Sequence, residues 1–146
     1  MTVQPLTSDM LCHVAELERQ VFSHPWSEAS LALLCGDTAF GYVCFEDGVA
    51  VAYGGMLTVL DEGQITNIAT HPDHRRRGYA AAVLHALLDE ALARGLSFVT
   101  LEARESNVAA ISLYEKLGFE TVGHRPRFYT GPVEGARLMQ CNLKGN

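Results

Sequence analysis

No run of apolar residues in this sequence approaches the roughly 20 needed to cross a bilayer, and Met1 to Asp9 lack the basic start and apolar stretch of a secretory signal. A cytoplasmic location with no membrane partner is therefore expected. Cys12, Cys35, Cys44 and Cys141 stand far apart without a C-x-x-C pair, which excludes a zinc knuckle or redox motif of that spacing. They are read as reduced and mostly buried thiols. The six histidines are equally scattered; His71 and His74 bracket Pro72 with no second cluster to match, so no metal site is expected. Positive charge is in deficit as well, with 11 Lys and Arg against 17 Asp and Glu, a net charge of −6 and a pI near 5.4. That balance excludes a surface built to track nucleic acid and suits attraction of a cationic partner.

What is present fits one compact domain spanning residues 1–146, because 146 residues are too few for two ordinary domains. Hydrophobic residues at 48% and charged residues at 19% exclude a disordered chain. No internal repeat or linker is visible. The first third reads as helix: Thr7, Ser8 and Asp9 offer N-caps, and Leu11, Val14, Leu17, Glu18 and Val21 form an apolar stripe with a charge at its edge. A short second helix follows Trp26, capped by Ser27 and stopped by Gly36. From Ala39 the pattern turns to strands, Ala39 to Phe45 and Val49 to Leu60 around a turn at Glu46, Asp47 and Gly48. A second turn at Asp61, Glu62 and Gly63 leads to a third strand, Gln64 to Thr70, which Pro72 ends.

The longest helix runs from Gly78 to Arg94, where Val83, Leu84, Leu87, Leu88, Ala91 and Leu92 recur at helical spacing and Gly95 supplies the stop. Phe98 to Glu102 reads as strand, Asn107 to Leu117 as helix stopped by Gly118, and Phe119 to Val122 and Leu138 to Leu143 as closing strands. An antiparallel first half followed by alternating strands and helices predicts an α/β fold, a mixed sheet with helices on both faces.

Between the third strand and the long helix lie Arg75, Arg76, Arg77, Gly78 and Tyr79, with Ala80 and Ala81 opening the helix. A helix start exposes about four amides without internal partners and carries partial positive charge, so a strand, basic turn, glycine and helix in that order suit a pyrophosphate. Taken alone, three arginines are equally a solvated patch. The loop lacks the Gly-Lys-Ser/Thr ending of a Walker loop.

The run Arg75-x-x-Gly78-x-Ala80 resembles the Q/R-x-x-G-x-G/A signature of the GCN5-related N-acetyltransferase (GNAT) superfamily. The stretch L-E-A-R-E-S-N-V-A-A-I-S-L-Y-E-K-L-G-F, from Leu101 to Phe119, is similar to a second segment of that family. With His24-Pro25-Trp26-Ser27 and Asn67-Ile68-Ala69, the resemblance covers nearly the whole chain and is greatest to the bacterial ribosomal-protein alanine N-acetyltransferases of the RimI type. It implies the acyl-coenzyme A N-acyltransferase fold, acetyl-CoA as cosubstrate, and transfer to a peptide or protein N-terminus, that of a ribosomal protein, in a ternary complex without a covalent acetyl-enzyme.

Such transfer needs one group to remove a proton from the amine and another to meet the departing sulfur. The resemblance assigns these to Glu102, acting through water, and Tyr114. It places Ile68, Ala69, Thr70, Arg75 to Ala81 and Asn107 at the cofactor, with the backbone N–H near Ile68 polarising the thioester carbonyl. Tyr129 and Glu134 fall on the acceptor, where this chain departs from the family's paired tyrosines at Phe128 and from its Glu-Asp-Ala run at Gly135. Each residue also has a structural reading: Glu102 as a solvated strand end, Asn107 as a helix cap, Tyr114 as part of an apolar stripe with Ile111 and Leu117. Asp61, Glu62, Glu102 and Glu105 read either as carboxylates around the entrance that attract a basic peptide or, equally, as ordinary turn and surface charges. A small-molecule amine, a lysine or a coenzyme A-binding module without catalysis remain as alternatives.

Overall fold

The computed structural model describes residues 1–143. Seven strands form one sheet: β1 (Thr2–Pro5), β2 (Ala39–Glu46), β3 (Val49–Val59), β4 (Glu62–Thr70), β5 (Phe98–Arg104), β6 (Glu120–Tyr129) and β7 (Glu134–Asn142), in the spatial order β1-β2-β3-β4-β5-β7-β6. Every neighbouring pair is antiparallel except β4 and β5. Four helices cover the sheet: α1 (Leu11–Val21), α2 (Glu28–Leu31), α3 (Tyr79–Ala93) and α4 (Val108–Lys116).

Two apolar clusters lie on opposite faces. Val14, Leu17, Leu31 and Leu34 pack with Val43 and Tyr53 on one, and Val83, Leu84, Leu87 and Ile111 pack with Val51, Met56, Val99 and Met139 on the other. The period-2 alternation of strands makes this possible, since successive side chains serve opposite cores. On β3 the two cores close in through adjacent glycines. A Cβ at Gly54 would stand 2.6 Å from Ile68 Cδ1 and 2.8 Å from Leu87 Cδ1, and one at Gly55 would stand 2.6 Å from Leu34 Cδ1.

Helices on both faces of a mixed sheet match the sequence expectation, and Ser27 caps α2 by accepting from the Ser30 amide at 3.1 Å. Other expectations need correction. The N-terminal third is not all helix, because Thr2–Pro5 pairs with β2 as an edge strand. None of Thr7, Ser8 and Asp9 caps α1; they belong to the turn before it, and the N-cap residue of α1 is Met10. The strand expected from Gln64 begins at Glu62, leaving a two-residue turn in which Leu60 takes a positive φ of 55°. The closing strands reach Tyr129 and start at Glu134, much longer than the apolar pattern indicated. Only Cys44 and Cys141 are buried; Cys12 and Cys35 are exposed, and all four are free thiols. No helix among the described residues is long and apolar enough to cross a membrane.

Gly54→Val should lower stability by about 2 kcal/mol, because the added methyls enter a filled space between β3 and α3. A urea midpoint that falls at unchanged slope would register it.

Candidate active site

The two strands of the one parallel pair stay together for only three residue pairs, Glu62↔Phe98, Gly63↔Val99 and Gln64↔Thr100. Beyond them β4 runs on to Thr70 paired only with β3, and β5 runs on to Arg104 paired only with β7. A bulge accompanies the parting: Gly55 faces Asn67 and Met56 faces Ile65, so Thr66 is an extra residue in β4. The result is a wedge-shaped opening in the middle of the sheet. Ile68, Ala69 and Thr70 lie along one rim, and Glu102 lies on the other.

At the wide end β4 passes through a short 3-10 turn, Pro72–His74, into the basic loop and α3. Arg76 adopts φ 65° and Gly78 φ 81°, alternation that turns successive amides toward one side. A Cβ at Gly78 would meet nothing within 4 Å, so the glycine answers a conformational need and leaves the loop's concave side open. The first bond of the helical ladder is Ala82 N to Gly78 O, 3.0 Å, which leaves the amides of Tyr79, Ala80 and Ala81 ahead of it. Arg75, Arg76 and Arg77 are exposed, and Arg75 and Arg76 have no side-chain partner among the described residues. Tyr79 differs: its ring is buried and its hydroxyl donates to Glu46 at 2.8 Å, so only its backbone is available to a ligand.

Tyr114 projects from α4 into the core; the residue is 9% exposed and its ring lies 5.9 Å from that of Phe119. Burial first, then Tyr129, push its phenol up to about 12. Thr66 Oγ1 is the only buried side-chain polar atom without a partner among the described residues. The Tyr114 hydroxyl, which makes no hydrogen bond there either, therefore keeps an outlet to solvent. Tyr129 connects this phenol to Glu102: burial and then the Glu102 carboxylate raise Tyr129 above the ordinary phenol value. Glu102, Tyr114 and Tyr129 thus share one neighbourhood. Glu102 itself is exposed, with Arg125 Nη1 4.0 Å away.

Asn107 is the N-cap of α4, its Oδ1 accepting from the Ala110 amide at 3.3 Å, which leaves Nδ2 as a free donor among the described residues. Glu134 is drawn into the protein. It accepts from Arg104 Nη1 at 2.9 Å, Ser106 Oγ at 3.0 Å and the Ser106 amide at 3.1 Å, and the Arg104 guanidinium, the foremost cause, holds its carboxyl below the ordinary range. Arg104 also donates to the carbonyls of Thr130 and Pro132 and lies 4.5 Å above the Tyr129 ring. One guanidinium therefore fixes the whole β6–β7 turn. The sequence stretch containing Arg104 was visible, but nothing in it marked a residue that reaches 26 to 30 positions onward.

For three of the four candidate entrance carboxylates the structure favours the reading as turn and surface charges. Glu62 accepts from Thr100 at 2.8 Å where β4 and β5 are still paired, and the Asp61 carbonyl accepts from the Ser97 amide beside it. Glu105 is engaged by His124 and by Arg137 Nε at 3.0 Å. Of the four carboxylates only Glu102 stands in the opening. The bulged part of β6 instead roofs a cavity of about 590 Å3 lined by His124, Arg125, Arg127, Glu105 and Glu134. The described residues contain no group of three or more His, Cys, Asp or Glu that could hold a metal.

The sequence and the fold are similar to those of known proteins. The chain is 36% identical over 128 residues to the [ribosomal protein bS18]-alanine N-acetyltransferase of Escherichia coli K12, covering 88% of this chain and 86% of that one. A putative enzyme of the same name from Bacillus subtilis is 33% identical over 133 residues, covering 90% and 88%. The crystal structure of the ribosomal-protein-S18-alanine N-acetyltransferase from Escherichia coli superposes with a TM-score of 0.91 at 34% identity, covering 99% of this chain and 95% of that one. The profile of the Acetyltransferase (GNAT) family matches residues 11–119. The chain belongs to that family, and it is an N-acetyltransferase of the type that uses acetyl-CoA as cosubstrate.

Proposed function

We propose that this enzyme acetylates the α-amine of a protein N-terminus, with the N-terminal alanine of a ribosomal protein as its acceptor. The relatives named for that reaction align over nearly nine tenths of the chain. The observation that carries the reading is the parting of β4 and β5, with an open anion-binding loop at its wide end and Glu102 and Tyr114 beside it.

The amides of Tyr79 to Ala81 and the charges of Arg75, Arg76 and Arg77 hold the pyrophosphate of acetyl-CoA. Its amide-bearing arm lies along the rim of Ile68, Ala69 and Thr70, whose outer edge has no strand partner, and a backbone N–H near Ile68 polarises the thioester carbonyl. Asn107 Nδ2 supplies a further donor. The amine arrives protonated and loses that proton through water to Glu102. Its nitrogen then attacks the thioester carbon, the new C–N bond forms, the C–S bond breaks and the sulfur leaves as a thiolate, while the nitrogen sheds its second proton to water so that a neutral amide results. Tyr114, protonated throughout the neutral range, meets that sulfur with its O–H. Tyr129 and the Arg104-clamped turn around Glu134 bound the acceptor.

An α-amine fits this site better than a lysine. With ordinary values near 7.7 to 8.0 and 10.4, the lysine costs about 3.5 kcal/mol more to deprotonate at neutral pH, and a single exposed carboxylate offers little to offset that.

With acetyl-CoA saturating, a short Ala-starting peptide should be acetylated, and its N-blocked form and polyamines should not; turnover confined to polyamines defeats the acceptor assignment. Tyr114→Phe should lower kcat about 100-fold while calorimetry finds acetyl-CoA affinity within twofold of the parent. The pH profile should carry the same signature. Tyr114 keeps its proton until about pH 12, so kcat/KM should rise as the amine deprotonates near 8 and then hold level to pH 10. A falling limb between pH 8 and 10 would contradict that role.

A further inference from the structure

Glu18 is the one fully buried charged side chain among the described residues, with 0% exposure, and no cation lies against it. An acceptor-only carboxylate in such a place is costly unless donors surround it. Three do. Trp26 N donates to Oε1 at 2.9 Å, Asn67 Nδ2 donates to Oε2 at 2.9 Å, and the Tyr53 hydroxyl donates to Oε2 as well. Asn67 Nδ2 also lies 3.1 Å from the Tyr53 oxygen. Burial, and after it the Glu18 carboxylate, raise the Tyr53 phenol above its ordinary value, so it remains a donor.

The three donors come from three separate parts of the chain, two of them on paired strands and one from the helix side. Trp26 belongs to the irregular segment 22–27 between α1 and α2, Tyr53 to β3, and Asn67 to the β4 bulge. Gln64 and Thr100 are the last pair of the parallel register, so Thr66 and Glu102 each stand two residues beyond it, on opposite rims of the opening. The Glu18 network therefore braces the rim that faces Glu102 and ties it to the segment on the helix side. A requirement of core packing alone would be met by an apolar residue of similar volume, without desolvating a carboxylate.

We propose that Glu18 is a positioning residue, which locks segment 22–27 to the β4 bulge and so fixes the wall against which the acceptor amine approaches Glu102. This rests on the reading of the opening as the site of transfer to a peptide amine. It assigns to Glu18 an effect chiefly on the acceptor rather than on the grip on pyrophosphate, because no donor to its carboxylate comes from the basic loop or α3, although Asn67 adjoins Ile68 on the rim.

Glu18→Gln keeps the shape and turns one acceptor oxygen into a donor facing donors. Combining Glu18→Gln with Asn67→Asp restores a complementary pair, since the new amide at position 18 can donate to the new carboxylate at position 67 while its oxygen still accepts from Trp26 N. With the Ala-starting peptide, the single variant should raise acceptor KM about 10-fold with acetyl-CoA affinity within twofold of the parent, and the double variant should recover to within threefold. Trp26 is the only tryptophan in the chain. Its emission should shift to the red in the single variant and return in the double one, a readout that needs no acceptor. Tyr53→Phe removes one donor and keeps the ring, and should move acceptor KM and emission the same way by a smaller amount if Glu18→Gln does not fold. Unchanged KM and unchanged emission in the variants overturn the proposal, as does a loss of acetyl-CoA affinity that parallels the loss of acceptor turnover. Parent enzyme inactive on the peptide would instead defeat the acceptor assignment, with the emission of the variants still deciding the role of Glu18.

Discussion

Two neighbouring parallel strands that pair for three residues and then part leave backbone donors and acceptors with no ladder partner in the middle of a sheet. Such groups are rarely left unsatisfied in a folded protein, and an exposed strand edge is a standing invitation to another extended chain. The amide-bearing arm of coenzyme A is such a chain in miniature. The rest of the site follows from this opening. The loop after β4 has to fall at its wide end, because β4 ends there, and the first amides of α3 are thereby turned toward whatever fills the gap.

The parts of this arrangement written in adjacent residues were legible beforehand. The Arg75 to Gly78 turn, the apolar stripe of α3 and the Asn107 cap of α4 are local, and local propensity settles each of them. What could not be read is what depends on distance along the chain. The carboxyl of Glu18 meets partners 35 and 49 residues away, so in the sequence it looked like a charge at the margin of an amphipathic helix. β1 is four residues long and contains Pro5, and only its pairing with β2 makes it a strand. β6 is mostly exposed and carries Pro126 within a bulge, so it lacks the alternation that identifies a half-buried strand. The site residues divide the same way: Glu102, Tyr114 and Tyr129 were named from a resemblance, but that one neighbourhood holds all three is a property of the sheet order β5-β7-β6.

Charge is also distributed in a way that a net value hides. The chain carries −6 overall, yet seven of its 11 Lys and Arg residues are Arg75, Arg76, Arg77, Arg104, Arg125, Arg127 and Arg137. The first three crowd one loop, and the other four come from β5, β6 and β7. The two groups behave differently. Arg75 and Arg76 are unengaged among the described residues, as befits cations that wait for an anionic ligand, whereas Arg104 and Arg137 are bound to Glu134 and Glu105. An acidic protein thus keeps two unengaged arginines in the loop where a pyrophosphate would sit, and uses Arg104 to hold the β6–β7 turn in shape.

Ile68 joins the core to this site most directly. Its backbone lies on the rim of the opening, while its side chain presses toward Leu87 and Val83 of α3 across the space that Gly54 leaves empty. This packed contact therefore helps to set the distance between the rim and α3. Interiors are packed too densely to absorb an added methyl without displacement, so a change in core volume there moves the rim relative to the amides at the start of the helix. Positions 54, 83 and 87 meet the opening through Ile68, so the geometry of transfer depends on them because Ile68 belongs to both places at once.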